Sequence, residues 1–190
     1  MSALKLSSRS TRPSGFEQSY NAQAAVDIET MLVIATHVSQ APNDKREVLP
    51  ILNQLGTLPE SLGQVIAMLG DTGYFSQANV TDGSVKDVDL YIATGRDKHG
   101  DTVETITDPP PPDVSPKEKM RHKLQTAAGR DVYKMRKAIV EPVFGQIKEQ
   151  RGFRRFSLRG KQNVRREWRL VCAASNLLKL FRAGWVLETA

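Results

Sequence analysis

Cysteine is nearly missing from this chain: Cys172 is the one thiol in 190 residues. That excludes a disulfide framework and a cysteine-based zinc site, and it fits a reducing compartment. The three histidines, His37, His99 and His122, are scattered and form no metal-ligand spacing. Long apolar runs are lacking too. None approaches the ~18 residues of a membrane span, and the most apolar stretch, around Leu177 to Leu180, sits in a basic segment. The leader MSALKLSSRSTRPSG carries no apolar signal core, so no secretory signal is expected. A cytoplasmic protein without a membrane partner is the expectation. Hydrophobic residues, at 39%, are few for a compact domain, yet the length suits one domain or a domain with a tail.

What the chain has is charge, unevenly placed. Residues 1–116 carry 8 Lys/Arg against 15 Asp/Glu, whereas residues 117–182 carry 19 against 5. An acidic front joined to a rear of net +14 points to a polyanion, and nucleic acid is favoured over a merely solubilising face.

The hydrophobic pattern divides the same way. Residues 20–27 (YNAQAAVD) and 31–39 (MLVIATHVS) read as two strands joined by a short hairpin loop. Residues 45–55 predict a helix with Val48, Leu49, Leu52 and Leu55 on one face, capped by Asn43 or Asp44, with Pro50 marking a kink or a late start. Residues 64–69 and 89–94 are further strands, with a helix opening at Ser76 or Gln77 between them. This alternation is an α/β signature with part of the sheet parallel. Residues 95–116, centred on four consecutive prolines, predict an extended loop or linker. The remainder predicts three helices, over 117–129, 131–149 and 163–183, with a basic loop before the last. In that last helix Trp168, Val171, Cys172, Ser175, Leu178 and Phe181 or Arg182 trace a stripe.

Three places could carry chemistry. Asp71 ends a strand and is followed by Thr-Gly-Tyr, which puts a carboxylate where open α/β sheets hold ligands. A cap of the following turn is the equal alternative. Glu141 shares a helix face with Lys137, Phe144 and Lys148, beside Tyr133 and Arg136, and Pro142 should bend the helix just after it. It could be a metal ligand next to a phosphate site, or an ordinary salt-bridged glutamate. In the loop, Phe153 and Phe156 interleave with Arg151, Arg154, Arg155, Arg159 and Lys161, the composition of a nucleic-acid surface. The phenylalanines could equally turn into the core and leave the arginines at its rim.

In order, YNAQAAVD, a helix, a strand ending DTGY, Y-x2-R-x4-E-P-V-F-G-x-I-K, GFRRFSLRG and EWRLVCAASNLLKL span most of residues 15–182. This succession resembles the DDE transposases of bacterial insertion sequences. The resemblance implies an RNase H-like mixed sheet flanked by helices. It also implies three acidic residues that bind two Mg2+ ions, with Mn2+ as a substitute, and DNA strand cleavage and transfer at transposon ends.

By position, Asp71 matches the family's second aspartate and Glu141 its glutamate. Tyr133, Arg136 and Lys148 resemble the conserved groups around that glutamate. Lys137 is the alternative to Arg136, because four residues rather than the frequent three separate Arg136 from Glu141. These groups, with the loop arginines, imply a grip on DNA phosphates.

The family's first aspartate lies on a strand upstream of YNAQAAVD, and the leader holds neither a carboxylate nor a strand signal. Asp27 is the remaining early candidate for a metal ligand, though it matches the end of the second strand. The expectation is therefore a disordered leader (1–15), a partial catalytic domain (16–183) missing its first strand, and a tail (184–190). Such a chain would be inactive alone. It would act as a homodimer, or with a complementing N-terminal chain, on transposon-end and target DNA in the bacterial cytoplasm and nucleoid. Two other functions compete: a non-catalytic DNA-binding remnant, and a magnesium-dependent nuclease of the same fold.

Overall fold

The computed structural model describes residues 20–82, 87–95, 106 and 109–184, together with the backbone at 2–3 and 6–7. The side chains of 137, 140 and 141, residues 8–19, most of the acidic part of the proline-rich loop and the tail 185–190 lie outside the described residues. The described part is a mixed α/β structure.

The sheet is built outward from a hairpin. Strand β3 (Asn21–Val26) pairs antiparallel with β4 (Val33–Ser39). The turn between them is closed by Asp27, whose carboxylate accepts from the Thr30 amide at 2.9 Å and the Thr30 hydroxyl at 2.6 Å. Burial pushes this carboxyl up, but the Thr30 bonds outweigh it and hold the group below the ordinary carboxylate value. Asp27 therefore has local employment in the hairpin, and the strand it follows is not next to the strand that carries Asp71.

Between those two strands lies the chain's beginning. Strands β1 (Ser2–Ala3) and β2 (Leu6–Ser7) both run antiparallel to β3 on one unbroken register: Ser2 opposite Val26, Ala3 opposite Ala25, Leu6 opposite Ala22, Ser7 opposite Asn21. On its other side β1 pairs parallel with β5 (Ala67–Gly70), and β5 pairs parallel with β6 (Asp89–Ile92). This corrects the expectation of a sheet without its first strand and of a leader without strand structure. The inner edges of β3 and β5 need partners for their backbone groups, and residues 2–3 and 6–7 supply them. Two-residue pairings in a Ser- and Lys-containing stretch leave no periodic signature to read.

Helices cover both faces. Side chains alternate along β3, so Ala22, Ala24 and Val26 join one core with Val33 and Val38, while Ala25 joins the other. The first core is closed by α4 (Ala127–Gly145) and α5 (Lys161–Arg182) through Ile139, Val143, Phe144, Val164, Trp168 and Cys172. Trp168 is fully buried, stacks on Phe144 and Phe153, and donates its indole N–H to the Gln23 carbonyl at 2.8 Å. Cys172 is a core residue, its thiol pushed up to about 12 by burial. The stripe ends sooner than expected: Phe181 is 75% exposed.

The second core is closed by α1 (Val48–Leu55), the short α2 (Gln77–Thr81) and α3 (Pro116–Gln125). Pro50 marks a late start, since α1 begins at Val48. The expected side-chain cap is absent: Asn43 accepts from the Lys45 amide in a local turn, and Asp44 is buried elsewhere. Helix α3 opens on a capping box between Ser115 and Glu118. The chain then breaks at Thr126, which caps α4 through the Gly129 amide. Only glycine fits at 129, because a Cβ there would lie 1.9 Å from the Lys123 carbonyl oxygen. Helix α4 carries Pro142 within it and ends in a π-helical turn, Gln146–Gln150.

Candidate functional site

Strand β5 is buried through Met68, Leu69 and Gly70 and ends at Asp71, where the chain turns out of the sheet. The turn Thr72–Tyr74 is capped by Asp71 itself, whose Oδ1 accepts from the Gly73 amide at 2.7 Å. The capping role foreseen for this residue is thus realised. It uses one oxygen only; Oδ2 accepts no hydrogen bond among the described residues.

Helix α4 is fastened to the same strand end. The Tyr133 hydroxyl donates to the Gly70 carbonyl at 3.1 Å, one residue before Asp71. From there α4 crosses the sheet toward β3, where Ile139 and Val143 are buried. Glu141 and Lys137 lie on this helix, with side chains outside the described residues. Arg136 stacks its guanidinium over the Tyr133 ring, 5.6 Å from the centroid, and its buried Nε has no hydrogen-bond partner among the described residues. Phe144, placed by spacing on the Glu141 face, is buried, and Lys148 is half-buried in the π turn.

Behind Asp71 lies a buried polar group that sequence reading missed. Asn21 and Gln23, on the α1 face of β3, donate their side-chain amides to Asp44 Oδ1 at 2.7 and 2.9 Å. Gln23 in turn accepts from the Tyr74 hydroxyl. Burial, and then the charges of Asp44, Asp71 and Glu47, push the Tyr74 phenol well above its ordinary value. One turn beyond Asp44, the buried Glu47 accepts from the Ser39 hydroxyl at 2.7 Å. Its other oxygen lies 3.5 Å from His37 Nε2 without a hydrogen bond. Burial raises Glu47 and lowers His37, so this pair is not held as an ion pair. The readable signal was Asn21 and Gln23 themselves. Two amides on one face of an alanine-rich strand require a polar partner inside.

The basic loop splits its roles as its composition suggested. Phe153 and Phe156 pack against the core and meet Trp168, with Phe156 also edge-on to Tyr20. Arg155, Arg159 and Lys161 are exposed, as is Arg154, which pairs with Glu149. Arg151 is half-buried, with Nη1 unpartnered among the described residues. On α5, Arg166 and Arg169 extend the exposed cationic surface.

The structure thus sets a carboxylate at a buried strand end, a helix fastened there and a cationic flank beside them. The particular family enters through the rear of the chain. Residues 96–181, just under half of the sequence, match the family model of the transposase DDE domain and support a DDE-type transposase with a transposition-related function. The matched stretch contains Glu141, Tyr133 and the basic loop, while Asp71 precedes it. No curated protein and no solved structure matches this chain.

DDE transposase domains act on DNA and generally use divalent metals. Among the described residues no three His, Cys, Asp or Glu side chains converge as a metal site. The donors at the Asp71 turn nevertheless fit a hard cation, since magnesium takes oxygen ligands and usually only one or two carboxylates. Among the described residues no helix is long and apolar enough to cross a membrane.

Proposed function

We propose that this chain is an RNase H-like DDE transposase domain that works on DNA phosphodiesters with a divalent cation, magnesium or manganese, held by Asp71 and Glu141. The observation that carries this reading is the Tyr133 hydroxyl on the Gly70 carbonyl at 3.1 Å. It ties the helix bearing Glu141 to the strand end bearing Asp71, although the two residues are far apart in sequence. The strand order supports the RNase H-like assignment: a central strand antiparallel to β3 and parallel to β5.

When bound, the cation would activate the attacking oxygen and stabilise the leaving one. The chain's own residues orient and grip. Asp71 offers its Oδ2, unbonded among the described residues. Arg136 and Arg151, each half-buried, carry further guanidinium donors of the kind suited to phosphate oxygens. Arg154, Arg155, Arg159, Lys161 and Lys148 extend that grip along DNA, with Lys137 beside Glu141 on α4. Tyr133 acts from behind, by fixing the helix.

The test is cleavage of supercoiled plasmid and strand transfer in Mg2+ or Mn2+. Asp71→Asn and Glu141→Gln should each lower turnover by roughly a thousandfold or more and leave DNA affinity unchanged. Equal turnover by these variants and the parent would overturn the reading.

One observation favours DNA binding without efficient turnover. No Asp or Glu precedes Glu17, so residues 2–3 and 6–7 bring no carboxylate to the centre of the sheet. On that second reading the parent binds DNA through its basic rear, and neither carboxylate variant changes anything measurable.

A further inference from the structure

The central strand brings no carboxylate, but the structure has another beside Asp71. Asp44 is 6% exposed, lies ahead of α1, and is remote in sequence from both motifs of the site. Its Oδ1 is saturated by the Asn21 and Gln23 amides. Its Oδ2 accepts no hydrogen bond among the described residues and faces the Asp71 turn. The approach is close because residue 73 is glycine. A Cβ there would lie 3.0 Å from both Asp44 Oδ2 and Asp71 Oδ1, so at most about 6 Å separates the two oxygens. At this range like charges repel appreciably in a partly buried setting.

That juxtaposition makes little structural sense. An asparagine at 44 would accept the same two amide hydrogens through its own oxygen. Its amide would then turn the repulsion toward Asp71 into attraction or a hydrogen bond. The carboxylate is the poorer choice for holding the loop and the better choice for holding a cation. A positive ion held by Asp44 Oδ2 and the Asp71 carboxylate would offset the repulsion between the two groups. The Gln23 amide, oriented by its contacts with Tyr74 and Asn21, fixes Asp44 in place, as supporting groups do around metal-binding carboxylates.

We propose that Asp44 is a ligand of the divalent cation, paired with Asp71 across Gly73, and supplies the carboxylate that the central strand lacks. This rests on the reading of Asp71 as a metal ligand. It adds a residue outside the matched stretch and outside every motif used above.

The experiment titrates the full chain with Mn2+, following the free ion by electron paramagnetic resonance, and measures thermal unfolding in EDTA and in Mn2+. Parent, Asp44→Asn, Asp71→Asn and Glu47→Gln are compared. Asp44→Asn should melt in EDTA at the parent temperature or above, because the repulsion is gone. It should also bind Mn2+ at least about tenfold more weakly and lose the Mn2+-induced rise in melting temperature. Glu47→Gln should bind Mn2+ like the parent.

Mn2+ affinity kept in Asp44→Asn but lost in Asp71→Asn overturns the role of Asp44 and leaves the function of Asp71 standing. A parent that binds no Mn2+ overturns both. A variant that melts lower in EDTA and keeps its Mn2+ affinity shows Asp44 to be a structural residue only.

Discussion

The two halves of this molecule treat charge in opposite ways. The sheet-bearing front takes acidic groups inside: Asp44 and Glu47 are almost fully buried and are met by amides, a hydroxyl and a histidine. The helical rear keeps its cations outside, with Arg154, Arg155, Arg159, Lys161, Arg166 and Arg169 exposed around a core closed by Trp168. A buried charge is costly and must be compensated locally, so the front is fixed by specific bonds. A surface cation is cheap and tolerant of position, so the rear can follow a polyanion without precise register.

Trp168→Ala should have the largest effect on folding. It removes the side chain on which Phe144, Phe153 and Phe156 converge, together with the indole bond to Gln23. Denaturant unfolding should register a loss of about 3–5 kcal/mol. A loss under about 1 kcal/mol would mean that the two halves do not share this core, and the comparison would break at its base.

Arg154, Arg155 and Arg159 changed together to alanine test the outward half. DNA affinity should drop steeply, and the log–log salt slope should lessen by ~0.9 for each phosphate contact removed. The melting temperature should stay at the parent value. A variant that keeps its salt slope would place the DNA on another face, with Arg166 and Arg169 the next residues to change.

Tyr133→Phe sharpens the line between gripping and positioning. It deletes one hydrogen bond to Gly70 and should cost about 1 kcal/mol of stability. Cleavage should slow while DNA affinity holds. If affinity falls instead, Tyr133 belongs with the cations and touches the substrate.

The smallest change expected is that of Glu47→Gln. Burial raises this carboxyl, the Ser39 hydroxyl opposes the rise, and Asp44 adds to it, with Lys161 opposing. A group raised in the folded state lends stability that is full below its unfolded value and is lost as pH climbs through the folded one. Glu47 therefore weighs against the fold above about pH 4.5. The glutamine variant should gain on the parent between acidic and neutral pH, as read by melting temperature across that range. A gap that does not widen with pH would show the buried acid to be fully compensated.

Much of the fold could be read in advance because it rests on local pattern. The alternation in residues 21–26, the β-branched run of 33–39 and the Trp168–Cys172–Ser175 stripe all declare their faces within one element. The Asp71 turn was legible for the same reason, since its cap and glycine lie within three residues. Asp44 was not. Its position before a helix imitates a cap, and its true partners, Asn21 and Gln23, sit on a strand more than 20 residues earlier. The pairing of residues 2–3 and 6–7 escaped because it depends on two strands that each lack an inner neighbour, which no local window contains. Phe181 was assigned to the stripe by helical spacing, but the core it would have joined ends at Cys172, more than two turns earlier.

The bond between the Trp168 indole and the Gln23 carbonyl links positions 145 residues apart, and this sets a schedule. A ribosome adding ~5–20 residues per second needs roughly 7–30 s to travel from one to the other. Through most of that interval the alanine and valine face of the first hairpin lacks the α4 and α5 side chains that cover it in the finished fold. Apolar surface left open in this way is prone to aggregation until the rear of the chain is made.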